Sequence, residues 1–230
     1  MKSQSKAGNP LLPEVKQMND KKGTKSVCFL GAKRLFDVLF SLFALIVLCL
    51  PFLLIALAIK IDDGGKVFYT QERIGKGGKR FKLYKFRSMI EDADRMEETL
   101  SKQEREEYKA EYKLRNDARI TRVGMFLRKT SMDELPNLFS VLKGDISIVG
   151  PRPLLEEEAY EKFGEDVNKL LSMKPGIVGM WAVNGRNNLT YESGKRQEME
   201  LYYIDHCSVW LDIKIIAKAI VSVLKQEGAK

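Results

Sequence analysis

Residues 38–59, VLFSLFALIVLCLPFLLIALAI, carry no charged side chain. As one straight helix this run would extend ~33 Å, enough to cover a hydrocarbon core of about 30 Å. It is longer than a signal-peptide core, begins more than thirty residues into the chain and is followed by no small-x-small cleavage site, so it reads as an anchor. Two features argue against a simple span. Pro51 lies inside the run, where it removes a backbone hydrogen bond and crowds the preceding turn. The flanks also carry the same sign: residues 1–33 hold seven Lys and two acids, and residues 60–80 hold six Lys/Arg and three acids. A spanning helix gets no orientation from such flanks. A helix that enters, bends near Pro51 and leaves by the same face satisfies both.

The rest of the chain has a soluble character. With 30% charged and 44% hydrophobic residues, the composition excludes a polytopic membrane protein and a wholly disordered chain. The net charge of +8 points to an anionic partner: nucleic acid, phospholipid or a phosphorylated substrate. The lone His206 excludes a His-rich metal site, and Cys28, Cys49 and Cys207 are too few and scattered for a disulfide framework.

The expected organisation is a basic tail over 1–33, a re-entrant membrane helix over 34–60 and a soluble domain over 61–230. The expected fold class is α+β, mostly helical with a small sheet or hairpin, with amphipathic helices on the membrane surface. Strands are expected at 66–72 and 79–86 around Gly75-Lys76-Gly77-Gly78, a hairpin turn that lacks the Gly-Lys-Ser/Thr ending of a P-loop. Residues 91–112 hold nine acids and four bases and read as a helix. Asp92-x-Asp94 imitates a glycosyltransferase metal motif, but carboxylates at a helix start need no metal. A strand is expected at 144–149, a helix over 155–172, a strand over 177–183, a helix capped by Thr190 and running through Tyr203, and a last helix over 208–226. In that last helix Val209, Ile213, Ile216, Ile220 and Val223 share one face, for the core or for lipid.

The richest chemistry lies in Arg128-Lys129-Thr130-Ser131-Met132-Asp133-Glu134-Leu135-Pro136. Ser131-x-x-Glu134 matches a capping box. In that register Pro136 deprives the Met132 carbonyl of its helical partner, and a free carbonyl beside two carboxylates suits a hard cation. A helix start also attracts phosphate, with Arg128 upstream to neutralise it.

These residues resemble a family. The apolar helix with an internal proline, Tyr84-Lys85-Phe86-Arg87-Ser88-Met89, the Arg128 to Pro136 block, Lys143-Gly144-Asp145-Ile146-Ser147, Gly150-Pro151-Arg152-Pro153, Asn184-Gly185-Arg186-Asn187 and Trp210-Leu211-Asp212-Ile213-Lys214 follow one another as in the bacterial sugar transferases, the small monotopic phosphoglycosyl transferases. The resemblance covers roughly residues 33–226. The family often has Ser before the breaking proline, where this chain has Leu50.

The resemblance implies a transferase of substituted phosphate groups. It would move a sugar-1-phosphate from a UDP-sugar to polyprenyl (undecaprenyl) phosphate at the cytoplasmic face of the bacterial inner membrane, releasing UMP. This is the first membrane step of capsule, exopolysaccharide or glycoprotein glycan assembly. It implies Asp133 as nucleophile and Glu134, with Asp133, as holder of Mg2+. Lys85, Arg128, Arg152 and Arg186 are the candidate phosphate-binding cations, with Pro151 and Pro153 stiffening Arg152, and Asp212 is a candidate orienting carboxylate for a basic residue. Anionic phospholipid is an expected partner and a homo-oligomer stays open; nucleic acid is not expected, because no recognised binding signature is present. The competing readings are a metal-dependent glycosyltransferase using Asp92 and Asp94, which would release UDP, and a non-catalytic membrane-anchored adaptor.

Overall fold

The apolar run folds as two helices. In the computed structural model, which describes residues 27–93, 100–112, 114, 117–184 and 189–224, α1 spans Val27–Val47 and α2 spans Cys49–Asp63. The pair is bent by 62°. The bend sits at Leu48, three residues before the proline. Pro51 falls in the first turn of α2, where a missing N–H is tolerated. Ladder bonds continue on both sides of the bend, from the Leu48 amide to the Ala44 carbonyl and from the Phe52 amide to the Leu48 carbonyl, each 2.8 Å. Among the described residues no single helix is long and apolar enough to cross a membrane; the bent pair passes that test together. Its outer face exposes Leu39, Phe43, Ile46, Leu50, Leu53 and Leu57.

The inner face of α1 is polar, at helical spacing. The Lys33 ammonium lies 2.6 Å from an Asp212 carboxylate oxygen, and the Tyr203 hydroxyl donates to the other at 2.6 Å. Arg34 donates to the Leu142 carbonyl at 2.8 Å, and Asp37 accepts from the Ser147 hydroxyl and the Ile148 amide, both at 3.0 Å. These bonds seat the first turns of α1 on the globular part of the chain.

The fold class is α+β as expected, mostly helical with two small sheets. β1 (Phe68–Ile74) and β2 (Arg80–Phe86) form the antiparallel hairpin, with Lys85 opposite Tyr69 and Arg73 opposite Phe81. Gly77 takes φ 68°, which only glycine adopts without strain, in the short 3-10 turn between them. β3 (Ser147–Val149) pairs in parallel with β4 (Gly176–Val178). The main core gathers Leu83, Val141, Ile146, Phe163, Tyr203 and Ile215; a second cluster joins Ile55 and Ile59 of α2 to Phe86 and Leu127.

Several expected elements differ. The 91–112 segment is not one helix: residues 91–93 form a turn, and α3 spans Lys102–Glu111 from a capping box between Ser101 and Glu104. The 155–172 helix divides into α6 (Glu156–Phe163) and α7 (Val167–Leu170), because Gly164 at φ 48° breaks it. The 177–183 strand ends at Val178, and α8 (Met180–Val183) follows. Thr190 does not cap the next helix: its hydroxyl accepts from the Ser193 amide at 3.2 Å, and α9 runs Lys195–His206 from Gly194. In α10 (Val209–Leu224) the buried side chains are Asp212 and Ile215, whereas Val209, Ile213 and Ile220 are exposed. In this rotation Asp212 is held inward by Lys33 and Tyr203, and Ile215 joins the main core.

Candidate active site

The Asp133-Glu134 pair stands between two short helices. α4 spans Arg122–Lys129 and is started by Thr121, whose hydroxyl accepts from the Gly124 amide at 2.9 Å. Gly124 is required by close approach: a Cβ there would stand 2.0 Å from the Ser88 carbonyl oxygen. Ser88 in turn accepts from Arg128 Nε at 2.9 Å. Arg128 thus leaves the end of α4 already oriented.

The capping box expected at Ser131 does not form. Ser131 takes φ 57° and caps nothing with its side chain. Met132–Glu134 is a 3-10 turn, and α5 spans Asn137–Lys143 after Pro136. The Met132 carbonyl is not free, since it accepts from the Leu135 amide at 3.2 Å. The tighter 3-10 pattern supplies the partner that an α-helix through Pro136 would lack.

Glu134 is used elsewhere. Its Oε1 lies 3.0 Å from the Lys85 ammonium of β2. Asp133 is buried, with 9% of its surface exposed. Burial lowers the pKa of Arg128, while the charges of Asp133 and Asp117 work in the opposite direction. Asp117 is itself held by Arg119 at 2.8 and 2.7 Å. Two carboxylates and two cations therefore meet here, from β2, α4 and the 3-10 turn.

Arg152 belongs to a second group. It stands 5.3 Å from the Trp181 ring centre, and Arg196 of α9 stands 4.3 Å from the same ring. Arg196 also stacks on Tyr191 at 3.8 Å and reaches Glu158 at 3.2 Å. Arg73 of β1 reaches the other oxygen of Glu158 at 3.5 Å. The Gly150–Pro153 loop is fixed by its backbone: the Gly150 amide donates to the Val178 carbonyl at 3.0 Å, and the Pro151 carbonyl accepts from Gly176 at 2.8 Å.

The hairpin register relates the two groups. Tyr69, opposite Lys85, alternates with Gln71 and Arg73 along one face of β1. From Tyr69 to Arg73 is roughly 13 Å of strand. The expected cations therefore do not converge on one point. Lys85 and Arg128 stand by the carboxylates, and Arg152 stands at the far end of the row. Arg186 and Asp94 lie outside the described residues. Asp92 sits in the turn at φ 64°. Asp212 orients Lys33, as described above, and joins α10 to α1. Lys143 ends α5, with its ammonium 2.6 Å from the Tyr84 hydroxyl, and His206 ends α9.

Among the described residues no group of three or more His, Cys, Asp or Glu side chains is placed to hold a metal ion. The Asp133-Glu134 pair still suits Mg2+, which is commonly held by one or two carboxylates plus substrate phosphates and water. Arg73, Arg196 and Glu200 were missed from sequence. Arg196-x-x-x-Glu200 has the spacing of an ordinary surface ion pair, and nothing local shows that both are buried.

The family model described as "Bacterial sugar transferase" matches residues 29–226. The chain is 43% identical over 201 residues to the undecaprenyl-phosphate galactose phosphotransferase of Salmonella typhimurium, covering 86% of this chain and 41% of that protein. It is 41% identical over 206 residues to the UDP-glucose:undecaprenyl-phosphate glucose-1-phosphate transferase of Xanthomonas campestris pv. campestris, covering 87% of this chain and 40% of that one. It is 40% identical over 201 residues to the exopolysaccharide production protein ExoY of Sinorhizobium fredii, covering 86% and 88%. The chain thus spans about two fifths of the first two relatives and most of the third.

Proposed function

The chain belongs to the bacterial sugar transferase family, and from that footing we propose that it is a phosphoglycosyl transferase, moving a sugar-1-phosphate from a UDP-sugar to polyprenyl phosphate. The names of the Salmonella and Xanthomonas relatives support the acceptor and the reaction class. The observation that carries the reading is the Lys85–Glu134 ion pair next to buried Asp133, whose charge acts on the partly buried Arg128.

In this reading an Asp133 carboxylate oxygen attacks the phosphorus that bears the sugar. The bond to the UMP oxygen breaks and UMP leaves. An oxygen of polyprenyl phosphate then attacks the acyl-phosphate, which frees Asp133 and yields polyprenyl-diphosphate-sugar. The covalent step divides one hard displacement into two. Arg128 and Lys85 stabilise charge on the transferring group. Glu134, with Asp133, would hold Mg2+, which when bound neutralises phosphate charge. Arg152 stands at the other end of the Tyr69–Gln71–Arg73 row, away from the reacting phosphorus.

The bent α1–α2 pair supplies the anchor. We read it as re-entrant, with both ends on the cytoplasmic face of the bacterial inner membrane: its outer surface is apolar, its bend is 62°, and both of its flanks are net basic.

Intact-mass spectrometry tests the mechanism. Incubation with UDP-galactose or UDP-glucose and no acceptor should add one hexose phosphate to the chain, and Asp133→Asn should abolish the addition. Equal masses for wild type and variant, with full activity in both, would overturn it. Release of UDP in place of UMP would favour the Asp92-x-Asp94 reading, and release of neither would favour the adaptor.

A further inference from the structure

Away from the dyad, a half-buried ammonium stands among other cations. Lys174 follows Met173, which joins the main core, and precedes Pro175, whose carbonyl accepts from the Ser147 amide at 2.8 Å. Its backbone is therefore rooted where β3 and β4 meet. Among the described residues Lys174 forms no hydrogen bond and no ion pair. Its Nζ and Arg34 Nη2 each lie 3.4 Å from the point that a Cβ on Gly144 would occupy, so the two cations are within twice that distance of each other. Lys76, in the hairpin turn, is drawn to the same place. The Gly77 amide donates to the Leu171 carbonyl at 2.8 Å, and the Lys76 charge acts on Lys174.

Other inward-facing cations have carboxylates: Lys33 has Asp212, Lys85 has Glu134 and Arg196 has Glu158. Around Lys174 the compensation is partial. The charges of Asp37 and Asp145 act on it, but Asp37 is engaged by Ser147 and Ile148, and neither carboxylate bonds the ammonium. Burial, and after it the charge of Arg34, hold the Lys174 pKa below its ordinary value. Arg34 cannot move away, because its guanidinium donates to the Leu142 carbonyl at 2.8 Å and also to the Val141 carbonyl. Two cations held close, one of them with its three donors unused, leave a place for an anion that offers two acceptor oxygens.

The height of this place is set by α1. Leu48, at the bend, is as many residues from Arg34 as from Asp62, so Arg34 stands where charged residues resume at the end of α2. Leu35 and Phe36, next along α1, are exposed and apolar, whereas Arg34 turns inward to α5. The cations thus line the crease between the anchor and the globular part, at the level of the lipid headgroups once the pair is inserted. We propose that Arg34, Lys174 and Lys76 form a seat for the phosphodiester of one anionic glycerophospholipid, whose acyl chains lie beside the apolar outer face of α1. This rests on the reading of α1 and α2 as a membrane anchor, and it concerns a lipid that is neither donor nor acceptor in the reaction. Phosphatidylglycerol offers that diester with one negative charge. Phosphatidylcholine offers it with a cation attached, which the cluster repels. Such a seat differs from the diffuse attraction of a basic surface for an anionic membrane, because it depends on particular residues.

The experiment is native mass spectrometry of the full chain released from detergent micelles, titrated with phosphatidylglycerol or phosphatidylcholine of equal chain length. The first phosphatidylglycerol should bind about tenfold more tightly than phosphatidylcholine. Lys174→Gln should weaken it about tenfold, the loss of one charged hydrogen bond, and Lys76→Gln should weaken it by a smaller factor. Lys102→Gln removes the same charge from the exposed start of α3 and should leave binding unchanged. Equal binding of the two lipids overturns the proposal. So does an equal loss in Lys174→Gln and Lys102→Gln, which would mean attraction by net charge alone. If Lys174→Gln does not fold, Lys76→Gln against Lys102→Gln makes the same comparison. Inorganic phosphate should not displace the lipid; displacement at equal concentration would make this a free-phosphate site and overturn the lipid. Flotation with phosphatidylcholine vesicles checks the footing separately. A chain that does not float overturns the anchor reading and this proposal with it, whereas a chain that floats but shows no lipid preference loses only the seat.

Discussion

The Lys85 ammonium lies 3.0 Å from Glu134 Oε1, although 49 residues separate the two in sequence. The pair joins the hairpin to the turn that carries Asp133. Both side chains are about a quarter exposed, so the bond adds little to stability. Its value lies in placement. Lys85→Met should reduce turnover by about a hundredfold, the usual loss when one preorganised charge near a reacting centre is removed, and should barely move the melting temperature. Initial rates of UMP release beside thermal unfolding in micelles check this; normal rates would remove Lys85 from the site.

Asp117 and Arg119 form a pair with less than a tenth of either side chain exposed, next to Arg128. Burial opposes the Asp117 charge, but the bonds from Arg119 outweigh it, and its pKa is lowered. A lowered carboxylate contributes stability that is fully present above the ordinary Asp range and is lost as pH falls through the lowered value. Asp117→Asn, which removes a charged partner from buried Arg119, should cost about 3 kcal/mol at pH 7. The gap from wild type should narrow on acidification. Unfolding curves from pH 7 down to 3 read both, and a gap that widens with acid would contradict the assignment.

Gly124→Ala should destabilise by roughly 1–3 kcal/mol, as overpacking does, because the new methyl group meets the Ser88 carbonyl. Since Ser88 also holds Arg128, turnover should fall further than the unfolded fraction explains. Full specific activity in the folded Gly124→Ala protein would show that the Ser88–Arg128 bond does not matter.

The re-entrant reading is tested by cysteine labelling, after Cys28, Cys49 and Cys207 are replaced by Ser. Gly31→Cys lies in the first part of α1, where added atoms meet nothing, and Lys66→Cys replaces a side chain that is 83% exposed. Both should react with an impermeant maleimide in inverted vesicles and neither in intact cells. Labelling from opposite sides would show a span.

What could be read from the sequence was local. The hairpin showed itself in alternating residues around a glycine turn, and the bend in a proline within an apolar run. The bend fell three residues early because a proline is best tolerated just inside a helix start, so it marks the beginning of α2 more than the break itself. Ser131 and Glu134 matched a capping box, yet the box lost to a partner 49 residues away. The rotation of α10 was hidden for the same reason, since Lys33 lies 179 residues from Asp212. The division of the cations into two groups needs the pairing of Lys85 with Tyr69, a register that no single segment contains.

The C-terminal end of α2 is bonded to the reaction centre's own support. Asp62 accepts from the Val123 amide at 3.2 Å at the start of α4, and Asp63 holds Arg87, next to Ser88. α2 is thus a rigid ruler between the bend and the dyad, with no slack loop between anchor and chemistry. In the proposed re-entrant arrangement, the altitude of the dyad over the lipid is then set by a count of helical residues. Removing one residue from 52–61 would turn Asp62 and Asp63 by about 100° around the axis and shorten the ruler by about 1.5 Å, so the enzyme would lose its footing and its aim together.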